Sequence, residues 1–130
     1  MQGPGLSPSN TDGVRTNAAV AVVAAIMLLV AAPAGAGEQV ARTLAYTFVP
    51  PTISVGAGET LSLQNLDRDV HTLTSTDTGP DGEPLFDSGL VTLLGSQPVA
   101  GVNELEPGSY EFFCRVHEQI PTMYGTLDVR

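Results

Sequence analysis

Turn signals break this chain at such short intervals that no long element fits between them. Pro50-Pro51, Gly56-Ala57-Gly58-Glu59, the run from Thr78 to Pro84 (TGPDGEP) and Glu106-Pro107-Gly108-Ser109 all carry residues that fix or permit turn dihedrals. The intervening stretches are short, rich in β-formers and in places alternating. They predict strands at Leu44 to Val49, Thr52 to Val55, Thr60 to Leu66, His71 to Ser75, Leu85 to Val91, Pro98 to Val102, Tyr110 to Cys114 and Tyr124 to Val129. No long window shows helical periodicity. Asn65 to Val70 (NLDRDV) reads as a polar loop. Pro50-Pro51 closes the first strand and sets an edge or a crossing point. Seven or eight short strands imply an all-β fold, an antiparallel β-sandwich of the Greek-key kind.

The region before these strands is different. Ala18 to Ala32 (AAVAVVAAIMLLVAA) is apolar and uncharged, follows Arg15, and leads into Pro33 and Ala34-Gly35-Ala36. A basic flank, an apolar run and a small-x-small ending are the parts of a secretory signal peptide. The expected organisation is a signal peptide over residues 1–36 and one folded domain over 37–130. The alternative is an uncleaved anchor, but the run is shorter than the ~20 residues a spanning helix needs. Export places the domain in a periplasmic, extracellular or cell-surface setting, with membrane contact only if the segment is retained.

Charge excludes one class of partner. The chain has 14 Asp plus Glu against 5 Lys plus Arg, a formal net charge of -9. Removing 1–36 takes away one acid, Asp12, and one base, Arg15, so the acidic excess belongs to the domain. Nucleic acid is excluded, because binding a phosphate backbone needs clustered cations. A single cysteine cannot form an internal disulfide, and two histidines allow only a small metal centre.

The chemistry concentrates in YEFFCRVHEQIPTMYGTLDV, Tyr110 to Val129. Cys114 ends a strand, His117 follows in a loop, and Met123 leads into the last strand. The other histidine, His71, opens a strand far upstream. Two imidazoles, one thiolate and one thioether form the ligand set of a blue-copper electron-transfer site. Thiolate and thioether suit Cu(I), and imidazole suits both copper states. A trigonal site of two nitrogens and one sulfur, with a second, weak axial sulfur, lies between the geometries the two states prefer. Little then has to move on electron transfer. Each residue alone has a bland reading: Cys114 as a small buried hydrophobe, Met123 as core filler, His71 as a surface residue. An exported protein with one unligated thiol would, however, face oxidation. Zinc is chemically possible with this donor set. No H-E-x-x-H, cysteine cluster or C-x-x-C-H haem motif is present. The pattern therefore points to a mononuclear one-electron carrier rather than an enzyme.

These pieces resemble the cupredoxin family, in particular its small plastocyanin-like, amicyanin-like and halocyanin-like members. The matching motifs are Gly56-x-Gly58, Asn65-x5-His71-Thr72, Phe86-Asp87-Ser88-Gly89, Pro107-Gly108-x-Tyr110-x-Phe112-x-Cys114-x2-His117 and Met123-x-Gly125-x-Leu127-x-Val129. They span nearly all of 37–130, and the last two are the specific ones. The resemblance implies copper at one end of the sandwich, with His71, Cys114 and His117 as equatorial ligands and Met123 as the axial ligand. It further implies a solvent-facing His117 edge that passes electrons, a bracing role for Thr72 and a second electron route at Phe113, for which core packing is the alternative. Five residues, Glu118 to Thr122, separate His117 from Met123, a longer loop than is usual in the family. A backbone carbonyl or Gln119 is the alternative axial group. Glu118 also places a carboxylate where the family's docking surface is usually apolar.

The leading expectation is a monomeric blue (type 1) copper protein that binds one copper ion and shuttles electrons between a donor and an acceptor protein. Its acidic surface would meet a basic docking face. A copper storage or delivery protein on the same fold is the alternative, and an interaction module without redox function is a third.

Overall fold

The computed structural model describes Gly3, Gly5 and residues 37–130. The segment read as a signal peptide lies, those two glycines aside, outside the described residues. Eight strands follow: β1 (Glu38–Leu44), β2 (Thr47–Val49), β3 (Thr52–Val55), β4 (Thr60–Asn65), β5 (Thr74–Ser75), β6 (Ser96–Pro98), β7 (Gly108–Phe113) and β8 (Tyr124–Val129). They form two four-stranded sheets with orders β2-β1-β4-β6 and β3-β8-β7-β5. The chain passes from the first sheet to the second between β2 and β3, at Pro50-Pro51. Proline has no N–H to give a ladder, so it suits a point where a strand must leave one sheet.

The sheets are not purely antiparallel. β1 lies parallel to β4, and β3 lies parallel to β8. Parallel neighbours need a long connection, and here that connection runs through the opposite sheet. Several expected strands also differ: Pro98 to Val102 gives way to β6 and a 3-10 turn opening at Val102, and His71 to Ser75 is a strand only over Thr74–Ser75. Leu44 to Val49 is not continuous, because Ala45 and Tyr46 have φ of 51° and 55° and turn β1 back on β2. Consecutive left-handed residues make the tight turn that matches strand twist. β1 itself escaped the sequence reading, since only Ala41 and Thr43 of its residues are buried. Leu85 to Val91 pairs only through isolated bridges, Asp87 with Thr74 and with Ala100 and Val91 with His71, and Gly89 at φ 67° interrupts it.

The two sheets close on Phe48, Leu61, Leu63, Leu73, Phe86, Phe112 and Leu127, all essentially inaccessible to water. The Phe48 and Phe112 rings meet edge to face at 4.8 Å, the geometry their quadrupoles favour. Gly125 belongs to this packing. A β-carbon there would collide with the Phe112 ring and stand 2.6 Å from the Pro51 carbonyl oxygen. Gly125→Ala is therefore expected to destabilise the domain by about 1–3 kcal/mol, the usual range for overpacking, as read by urea unfolding of the metal-free protein.

Candidate metal centre

The site forms where the strands hand over to loops at one end of the sandwich. Cys114 directly follows β7. From it the chain makes three successive turns: the His117 N–H donates to the Cys114 carbonyl, Ile120 to His117 and Met123 to Ile120, at 3.1, 3.0 and 2.9 Å. The Cys114 N–H then donates across to the Met123 carbonyl at 3.0 Å. Cys114, His117, Ile120 and Met123 thus share one three-residue rhythm, and Pro121 opens the last turn. The long gap after His117 is absorbed as one extra turn with Ile120 at its corner. Met123 is fully buried, whereas Gln119 is exposed.

His71 enters from the other side. Its backbone exchanges hydrogen bonds with Val91, at 3.1 and 2.8 Å, an isolated bridge that fixes the segment leading into β5. The result brings three of the four expected ligands together. The donor atoms of His71, Cys114 and His117 all lie within 4.8 Å of one another. Both imidazoles turn Nδ1 toward the thiol, at 3.8 Å for His71 and 3.4 Å for His117. Burial of His71 pushes its pKa down, although the Asp67 carboxylate works in the opposite direction. The neutral imidazole, which keeps a lone pair for a metal, is thereby favoured.

The surroundings orient these groups. The Thr72 N–H donates to the Cys114 sulfur at 3.4 Å, and the Arg115 N–H donates to the Thr72 hydroxyl oxygen at 3.1 Å. Thr72 therefore does brace the ligand loop. Asp87 supports the same corner: it accepts from Thr74 and the Gly89 N–H and pairs with Arg115 at 2.8 Å. This accounts for the Phe86-Asp87-Ser88-Gly89 motif. Buried Asn65 is fully used. Its Oδ1 accepts from Thr43 and the Asp67 N–H, and its amide donates to the carbonyls of Asp69 and Val91.

Three participants were not legible in the sequence: Asp67, Asp69 and Tyr46. Asp67 holds His71 Nε2 at 2.8 Å. Asp69 lies 3.8 Å from His117 Nε2 and accepts from the Tyr46 hydroxyl. That hydrogen bond is the main reason the phenol's pKa rises above its ordinary value. The Tyr46 ring meets both imidazoles edge-on. The His117 side chain is only 14% exposed, so its outer edge is less open than the family resemblance implied. Phe113 stacks on the half-exposed Tyr124 at 5.9 Å and lies outside the core. Glu118 is exposed.

An all-β sandwich of eight strands with a buried thiol faced by two imidazoles at one end defines a class of small copper proteins. The family model described as "Cupredoxin-like domain" matches residues 18–127, and the chain belongs to that family. The solved structures it is similar to include amicyanin variants. One in the Cu(I) form has 19% identity and a TM-score of 0.58, covering 77% of this chain and 89% of the other. A reduced variant has 19% identity and a TM-score of 0.58, covering 72% and 83%. An oxidised variant has 17% identity and a TM-score of 0.57, covering 71% and 81%. No curated protein gives a significant match.

The donor set fits the metal that this family implies. One soft sulfur and two imidazole nitrogens, gathered without an intervening carboxylate, suit copper in both oxidation states. His71, Cys114 and His117 are arranged to bind one copper ion. Carboxylate partners that hold a ligating imidazole commonly contribute 10–100-fold in metal affinity. Asp67→Ala is accordingly expected to weaken copper binding by about that factor in a chelator competition, whereas Asp81→Ala, in a distant loop, leaves it unchanged.

Proposed function

We propose that this protein is an exported, monomeric blue (type 1) copper protein that carries single electrons between a donor and an acceptor protein. The observation that carries the reading is the pair of imidazole Nδ1 atoms turned on a fully buried thiol. A bound copper ion supplies the Cu(I)/Cu(II) couple, taking up and releasing one electron. The protein's part is to keep the ligands still. His71 is held through Nε2 by Asp67, the Cys114 sulfur by the Thr72 N–H, and His117 by its turn onto Cys114. Ligands fixed in this way need little rearrangement between oxidation states.

Met123 is the proposed axial ligand. Its complete burial, and its backbone bond to Cys114, support it over the exposed Gln119. Burial of His71 and Cys114 supports a carrier over a storage or delivery protein, which needs ligands open to exchange. His117 is the ligand nearest the surface and the natural exit for an electron. The exposed acids Asp69 and Glu118 close to it support a partner with a basic docking face, whose association weakens as salt rises. Export rests on the N-terminal apolar segment and on the fate of an unprotected thiol.

Two outcomes check this. Cu(II) added to the full chain is expected to produce an intense thiolate-to-copper band in the visible, and Cys114→Ser to abolish it. Absence of the band from the unaltered chain would sink the reading. Met123→Leu is expected to keep the band and raise the reduction potential, because losing a donor, however soft, costs the more highly charged Cu(II) more than Cu(I) and leaves an apolar group in its place. An unchanged potential by voltammetry would remove Met123 from the ligand set.

A further inference from the structure

Tyr46 is restrained at every polar atom it has. Its N–H donates to Asp67 Oδ2 at 3.0 Å, and its carbonyl accepts from the Thr122 hydroxyl, on the ligand loop, at 2.6 Å. Its hydroxyl donates to Asp69 Oδ2. Its ring stands edge-on to both imidazoles, with centroids 5.6 Å from His71 and 5.1 Å from His117 and interplanar angles of 87° and 85°. The backbone is left-handed at both Ala45 and Tyr46. Non-glycine residues rarely adopt that conformation, and it persists where the surroundings over-determine it, most often at functional sites. A hairpin that needed only to turn would be cheaper with Asn-Gly. Here the turn instead carries a large aromatic over the ligands.

The two acids link this turn to the site. Asp67 Oδ2 serves both the Tyr46 N–H and His71 Nε2, and Asp69 Oδ2 both receives the Tyr46 hydroxyl and faces His117 Nε2. Each acid therefore couples the β1–β2 turn to one imidazole. Tyr46 itself remains 38% exposed, while the His117 side chain is 14% exposed and that of His71 is 0%. The ring packs edge-on against both imidazoles, and of the two only His117 has any exposed surface beside it.

We infer that Tyr46, clamped by Asp67, Asp69 and Thr122, is a positioning residue that packs edge-on against both imidazoles and covers the outer edge of His117. The inference rests on the carrier reading for its purpose, since a covered, immobile His117 keeps water away from the metal and limits ligand movement. Its geometry belongs to the metal-free chain and is tested there.

The experiment is carbethoxylation of the metal-free full chain by diethyl pyrocarbonate, followed residue by residue by mass spectrometry. The chain has only two histidines, so wholly buried His71 is an internal reference for global opening. Tyr46→Asn removes the ring with a residue that tolerates the left-handed turn. It is expected to speed modification of His117 about three- to tenfold, the equilibrium equivalent of one lost aromatic contact, with His71 unchanged. Tyr46→Phe, which keeps the ring, is expected to restore slow modification of His117. An unchanged His117 rate in Tyr46→Asn overturns the inference. So does an equal rise at both histidines, which would make the residue merely structural, or a Tyr46→Phe rate equal to that of Tyr46→Asn. A chain that failed to take up copper would sink the carrier reading while leaving these outcomes intact.

Discussion

The metal end of this sandwich depends on one buried amide. Asn65 ends β4, and its side chain makes four hydrogen bonds: to Thr43 in β1, to the Asp67 N–H, and to the carbonyls of Asp69 and Val91. β1 is thereby tied to the acidic loop, and that loop to the residue that bridges His71. A buried polar network of this kind is favourable only when every member is satisfied. No buried side-chain nitrogen or oxygen among the described residues lacks a partner. Losing the amide would strand several groups at once, each at a cost of about 1–3 kcal/mol. The position of His71 thus follows from Asn65 before any metal is considered.

The ligands on the opposite side are placed by a different device. Cys114, His117, Ile120 and Met123 sit at the corners of three stacked turns, closed by the Cys114 to Met123 backbone bond. Local hydrogen bonding sets this loop, and the β7–β8 pairing beneath it anchors both ends. The thiol is held between the two arrangements, with Thr72 reaching across to its sulfur and Arg115 reaching back to Thr72. A rigid frame of this kind, with donors converging on one point, is what a one-electron site requires of a protein.

The surface above the site is built from residues of mixed character. An aromatic ring, two loop carboxylates and the exposed Glu118 share this end with exposed Leu90, Leu94 and Val116, neighbours of Val91, Asn65 and His117, so the apolar face that the family resemblance implied is mixed with acids. Acidity thus acquires a place. The net charge of -9 belongs to the whole chain, but Asp67 and Asp69 are spent on imidazoles and on the β1–β2 turn. They are structural parts of the centre as well as contributors to its field.

Cys114 and His117, with Met123 as the proposed axial ligand, were legible in the sequence because they are close together along the chain and chemically rare within it. His71 was legible by type, as the one other imidazole. Strand-rich architecture was legible from β-formers between turn signals, because turn residues act through local dihedrals. The rest depended on contacts between distant segments. β1 buries too few residues to announce itself, and it becomes a strand through its pairing with β2 and β4. Asp67 and Asp69 look like ordinary loop acids until the fold sets His71 and His117 beside them. Tyr46 looks like a strand residue until its neighbours fix a left-handed turn. Which atoms could bind a metal was already written in the order of the residues, since donor chemistry belongs to residue type. How those atoms converge, and what covers them, came only with the folded chain, because hydrogen bonds and ring contacts across tens of residues exist only once the two sheets have closed.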